Sequence, residues 1–157
     1  MNNSFYDYQM YEGSFLTVRP VLDRSVNLLM FRDEENKEYQ IVINRVLLPE
    51  EKEVEAWCEE EMEKLRNKLP GFNIEGKLLK HEIGPAKIPI VQVANRYLHE
   101  GKTKKQIQSI MRLPEDAVYN PLNREIVIFT LVSESEFTEY QRKHYVQVIN
   151  SFTPSIV

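Results

Sequence analysis

Glu38-Tyr39-Gln40-Ile41-Val42-Ile43-Asn44-Arg45-Val46 is the stretch on which the fold turns. Its side chains alternate, with Tyr39, Ile41, Ile43 and Arg45 on one side and Gln40, Val42 and Asn44 on the other. That period of two belongs to a β-strand, whose successive side chains point to opposite faces. Just upstream, Ser25–Phe31 repeats the pattern, placing Asn27, Leu29 and Phe31 against Val26, Leu28 and Met30. The polar segment Arg32-Asp33-Glu34-Glu35-Asn36-Lys37 between them is short, so the two strands pair antiparallel.

Outward from this hairpin, strands are expected at Phe5–Tyr11, Phe15–Val18, Ile74–Ile83, Ile88–His99, Lys104–Arg112 and Glu125–Val132. A second tight connection falls at Glu100–Lys102 around Gly101. Two stretches instead carry helical period. In Pro49–Leu69 the apolar residues Val54, Trp57, Cys58, Met62, Leu65 and Leu69 form one stripe, ended by Pro70-Gly71. Pro49 suits a first turn, and Glu50, Glu51 and Glu53 suit the positive end of the helix dipole. The second helix is expected over Thr138–Phe152, with Thr138 and Gln141 as a capping box and Tyr145, Val148, Ile149 and Phe152 as its buried stripe. Strands, helix, strands, helix without βαβ alternation describe an α+β domain, a mostly antiparallel sheet with two main α-helices.

The 157 residues suffice for one domain with its own core. Lys and Arg number 20 against 24 Asp and Glu, a net charge of −4 that argues against a nucleic-acid partner. The longest apolar runs, Leu28–Phe31 and Ile126–Phe129, fall far short of the ~20 residues that span a bilayer. No signal or lipidation pattern marks the first thirty residues, so a cytoplasmic protein without direct membrane insertion is expected. One cysteine, Cys58, allows no internal disulfide and no thiolate cluster, and its place beside Trp57 on the helical stripe reads as core. His81, His99 and His144 are scattered without ligand spacing, so no metal is expected. Glycines are isolated, and no nucleophile motif occurs, so neither a cofactor nor a catalytic residue is assigned.

One side of the central strands is unusual. If Leu29, Phe31, Ile41 and Ile43 face a helix, the other side shows Val26, Leu28, Met30 and Val42 interspersed with Gln40 and Asn44. Lys104–Arg112 adds Gln106, Gln108 and Ile110. A sheet face left to solvent should be charged and polar, whereas this one mixes aliphatics with uncharged amides. Either the C-terminal helix or a second subunit covers it, or it is a groove for an apolar ligand or helix.

Several of these residues form familiar successions: Tyr11-Glu12-Gly13-Ser14-Phe15, Asp23-Arg24-Ser25-Val26-Asn27-Leu28-Leu29-Met30-Phe31 and Ile41-Val42-Ile43-Asn44-Arg45. With Leu69-Pro70-Gly71-Phe72 and the close from Phe137-Thr138-Glu139-Tyr140-Gln141 to Ser151-Phe152, the chain resembles the DcrB-like family over nearly its whole length. The resemblance implies a PsbP-like/DcrB-like fold with a curved antiparallel sheet. Without a lipoprotein signal it points to the effector-associated (Eag) chaperones of bacterial type VI secretion. It further implies a homodimer that shields the N-terminal transmembrane helices of a PAAR-containing effector. Family groove positions fall on Val26, Leu28, Gln40, Val42, Asn44 and Gln108. Met30 and Ile110 join them by alternation, and Glu61 stands where relatives carry glutamine. The runner-up is a PsbP/DcrB-like accessory module that binds a small apolar ligand or docks on a membrane-protein complex.

Overall fold

The computed structural model describes residues 5–155. Eleven elements follow in the order β1 (Tyr6–Gln9), β2 (Ser14–Thr17), β3 (Asn27–Arg32), β4 (Glu38–Leu47), α1 (Val54–Lys68), β5 (Asn73–Ile74), β6 (Leu79–Ile83), β7 (Ile88–His99), β8 (Lys102–Arg112), β9 (Glu125–Ser133) and α2 (Glu139–Ser151). β1 and β2 form a hairpin of their own. The rest make a seven-stranded sheet in the order β3-β4-β9-β8-β7-β5, with β6 also on β7. Every pairing in it is antiparallel.

The two connections expected to be tight are so. Between β3 and β4, Asp33 Oδ1 accepts the main-chain N–H groups of Glu35 and Lys37, each at 2.9 Å, and Asn36 takes a left-handed φ of 63°. Between β7 and β8, Glu100 and Gly101 have φ of 52° and 78°, the paired positive values of a two-residue hairpin turn. Asp33 also ties its turn to the second helix, because Gln141 Nε2 donates to its Oδ2 at 3.1 Å. Gln141 meanwhile completes the capping box, donating its N–H to Thr138 Oγ1 at 3.2 Å and accepting from Thr138 N at 3.3 Å.

The donated N–H of Lys37, with those of Glu35 and Gln141, holds the Asp33 carboxyl below the ordinary carboxylate range. A lowered folded pKa stabilises above the unfolded value of about 3.9, and the benefit disappears as pH falls through the folded value. Asp33→Asn is therefore expected to be less stable than wild type at neutral pH and to approach it in acid. Urea unfolding at pH 7 and near pH 2.5 measures this; an equal gap at both pH values would refute it.

One helix lies on each side of the sheet. Against α2 pack Tyr39, Ile41, Met111, Val127, Phe129 and Leu131, with Tyr145 and Ile149 from the helix. Against α1 pack Val91, Val93, Ile110, Ile126 and Ile128, with Trp57, Cys58 and Met62 from the helix. The stripes expected on both helices are thus the buried ones. Gly84, at φ 71°, turns β6 into β7 so close under α2 that a Cβ there would lie 2.6 Å from the Phe152 carbonyl oxygen.

Three expectations need correction. The sheet is not curved round a trough: its strand order is an open path that ends in free edges at β3 and at β5 and β6. The physical reason is that both faces carry a helix, so neither can become the inside of a curl. α1 begins at Val54, not at Pro49, because Glu51 adopts a φ of 58° and residues 49–52 close a turn instead (Lys52 N to Pro49 O, 3.3 Å). The strand expected over Ile74–Ile83 is two, β5 and β6, broken around Gly76 at φ 80°.

Candidate functional site

The register of the sheet gathers the amide-and-aliphatic residues into rows. Directly paired residues of antiparallel strands share a face. One row runs Leu28, Val42, Thr130, Gln108, Val93. Beside it runs Met30, Gln40, Val132, Gln106, Asn95. On the other side runs Asn44, Ile128, Ile110, Val91. All three lie on the face that carries α1, since Val91, Val93, Ile110 and Ile128 pack against that helix.

α1 covers only part of this face. It sits over β7 and β8, the core beneath it takes in Ile126 and Ile128 of β9 with Val46 of β4 packed against them, and among the described residues the rest of the β3–β4 side stays bare. Leu28 is 58% exposed and Met30 54%, while Val42, Gln40 and Asn44 are half-buried. The C-terminal helix packs on the opposite face and does not reach them. Val26 precedes β3 and is 60% exposed, adjoining the patch in sequence without a pairing partner. Gln108 lies half-buried at the boundary of the covered and bare regions. Ile110 is a correction: it shares the face, but at 2% exposure it belongs to the core under α1 and cannot touch anything outside.

Alternation along single strands missed one member and two residues beneath it. β9 inserts between β4 and β8 and brings half-buried Val132 into an open row, while Thr130 and, on β7, Asn95 are buried floor residues beneath the two rows at 4% and 1% exposure. Glu61 stands on α1 and holds an ion pair with Lys64 at 3.1 Å. The electrostatics of the bare patch are neutral, with amides as its polar groups. Charged pairs flank one end, where Arg32 meets Glu38 at 3.0 Å and Glu134 takes Lys102 at 3.4 Å and Lys104 at 3.6 Å.

Chemistry elsewhere is sparse. Cys58 is buried, and burial pushes its thiol up to about 11, well away from a reactive thiolate. The histidines sit on β6, β7 and α2, and His144 Nδ1 meets the Tyr39 hydroxyl at 2.8 Å. Among the described residues no group of three His, Cys, Asp or Glu could hold a metal ion, and no helix is long and apolar enough to cross a membrane. A cavity of about 720 Å³ opens at the N-terminal end of α1, walled by Val54, Pro89 and Leu113 but rimmed by Glu53, Glu82 and Arg112.

Comparisons with known proteins agree on the fold. PA94 from Pseudomonas aeruginosa, a protein of unknown function, superposes with a TM-score of 0.69 at 16% identity, over 98% of this chain and 99% of that one. LpqN of Mycobacterium tuberculosis, involved in cell envelope biogenesis, superposes with a TM-score of 0.56 at 18% identity, over 86% of this chain and 82% of that one. At such identities these likenesses speak for the fold alone. No match is found among curated proteins. The DcrB family model aligns with residues 12–151, from the turn between β1 and β2 to the last residue of α2, and on that span the chain belongs to the DcrB family.

Proposed function

We propose that this chain is a non-enzymatic binding module, an accessory protein that seats an apolar helical segment of a membrane-protein partner on the bare half of its α1 face. The observation that carries the reading is the exposure of Leu28 and Met30 in register with Val42, Gln40 and Asn44. From β3 to β8 the patch crosses three strand spacings, ~14 Å at about 4.8 Å each, which accepts an α-helix about 10–12 Å across. Contiguous apolar surface of this kind marks an interaction site. The aliphatics supply affinity, since each apolar side chain withdrawn from water is worth ~1.5–3 kcal/mol. The amides contribute less, because hydrogen bonds between apolar helices average about 0.6 kcal/mol.

Size favours a pair of copies. From Gln40 to Asn44 the patch runs four residues along β4, ~14 Å at about 3.4 Å per residue. That length matches about nine residues of helix at 1.5 Å each, half of a membrane span. Two patches in a homodimer match a whole span. The more specific form of this reading is a cytoplasmic type VI secretion chaperone of the Eag kind that shields a PAAR-containing effector before export. Its support is the likeness of Val26, Leu28, Gln40, Val42, Asn44 and Gln108 to that group's groove positions. A small apolar ligand is the second reading, but it calls for an enclosed apolar pocket, and this face is open.

Co-expression with a fusion carrying an apolar span of about 20 residues tests the module reading. The fusion is expected to stay soluble and to co-purify with two copies of this chain, by light scattering on the eluted complex. A fusion equally soluble without this chain refutes the proposal. A lipid-sized mass on the purified protein in native mass spectrometry transfers support to the small-ligand reading. Replacing the generic span by the N-terminal region of a PAAR-containing effector tests the secretion form separately.

A further inference from the structure

Beneath the edge of α1 lies an amide that the core has no evident use for. Asn95 is 1% exposed, on the same face of β7 as Val91 and Val93, where aliphatic side chains pack well. Its Oδ1 is buried without a hydrogen-bond partner among the described residues. Its Nδ2 reaches Gln108 Oε1 at 3.3 Å and the Met62 sulfur at 3.8 Å. A buried amide with one atom unpaired is unfavourable, and a valine at this place would avoid it. Of the two contacts that distinguish Asn95 from a valine, the one to Gln108 leads toward the bare part of the face.

Gln108 stands diagonally across from Asn95 on β8, at the boundary between the covered and bare parts of the face. A side-chain amide has an accepting end and a donating end, and a neighbour that occupies one end leaves the other free. Asn95 occupies the oxygen. The donating Nε2 of Gln108 is left without an intramolecular partner among the described residues. Met62 reinforces the arrangement, since its thioether sulfur only accepts and so keeps Asn95 with Nδ2 toward both neighbours.

We infer that Asn95 is a positioning residue: it fixes the Gln108 amide so that a hydrogen-bond donor faces the bound segment, and the module prefers apolar segments that carry an acceptor at that level. A main-chain carbonyl freed at a helix kink, or a Ser/Thr hydroxyl, has this chemistry. The inference rests on the binding reading above and adds a selectivity to it.

Two Lys-flanked helical peptides of about 20 apolar residues provide the probe, with O-methylserine or its isostere norvaline at the centre. The ether oxygen accepts and cannot donate, so the ratio of the two affinities reports how Gln108 is turned. Gln108→Leu sets the baseline and is expected to shift the ratio against the O-methylserine peptide by about three- to twentyfold, the range of hydrogen bonds between apolar helices. Asn95→Asp offers Gln108 only an acceptor, turns its nitrogen inward and is expected to match that baseline. Asn95→Val leaves the amide unheld and is expected to fall between wild type and baseline, with the norvaline affinity unchanged. Should the buried aspartate impair folding by thermal melt, the valine variant carries the test. A wild-type ratio in the folded Asn95 variants beside a shifted ratio in Gln108→Leu overturns the role of Asn95. Binding of both peptides with no shift in any variant overturns the selectivity and spares the module. Binding of neither peptide by wild type overturns both.

Discussion

Leu28→Asp combined with Met30→Asp is expected to weaken capture of an apolar helix by more than a hundredfold while the protein stays folded. Both side chains lie on the edge strand β3, more than half exposed, in adjacent rows of the bare patch. Each loses an apolar contact worth ~1.5–3 kcal/mol on burial. Each new carboxylate must also shed water against an uncharged segment. Losses of at least about 3 kcal/mol amount to more than two powers of ten in affinity. The unbound fold gives up little, because neither residue belongs to the core under α1 or α2. Lys143→Asp, on the exposed side of α2, makes the same change in net charge away from the patch and is expected to bind like wild type. Peptide titration with a thermal melt of each variant measures both halves. A melt lowered by tens of degrees in the double variant would mean that β3 is already covered in the working assembly, and that the patch is not free for a partner.

How much of this was legible beforehand depends on which physical signal each feature leaves in the chain. The helices announce themselves through period, so Val54, Trp57, Cys58, Met62, Leu65 and Leu69 on α1 and Tyr145, Val148, Ile149 and Phe152 on α2 read directly as buried stripes. The capping box is equally plain, because Thr138 and Gln141 satisfy each other locally. The start of α1 is not, since the preferences of Pro49 and three glutamates for a first turn are overridden by tertiary demand. Leu48 is buried and its N–H donates to the Arg124 carbonyl at 2.7 Å, which holds residues 49–52 in a turn.

For the site, alternation supplies the face but not the extent of its cover. Ile110 and Gln108 are indistinguishable by period, yet one lies beneath α1 and the other at its rim. Strand order is also absent from local pattern. Only the pairing of β9 with both β4 and β8 places Thr130 between Val42 and Gln108. The run Ile126-Val127-Ile128-Phe129, resumed after Thr130 by Leu131 and Val132, did hold a clue, because a strand apolar on both sides is covered on both sides over most of its length. That same clue speaks against a curled sheet, which would leave one of its faces hollow.

Two identical substitutions expose the asymmetry between the faces. Leu131→Ala is expected to cost about 3–4 kcal/mol, and Leu28→Ala under about 0.5 kcal/mol. Leu131 is fully buried among Tyr39, Ile41, Phe129 and Tyr145, where Tyr145 hydroxyl contacts pin α2 to the sheet (Phe129 O at 2.9 Å, Ser109 Oγ at 2.6 Å). Those bonds prevent α2 from settling into the vacated space, so the cavity term adds to the lost transfer energy. For a domain of this size the melting temperature should drop by about 6–16 °C in Leu131→Ala. Leu28 removes side-chain surface that water already touches, so its melt should hardly move. Partner affinity should respond in the opposite order, because only Leu28 meets the bound segment, with about a tenfold loss or more from one deleted aliphatic contact. Comparable destabilisation by the two alanines would place Leu28 inside a buried interface of the free protein. The crossed pattern, stability lost at Leu131 and affinity lost at Leu28, is what one covered face and one half-bare face on a single sheet require.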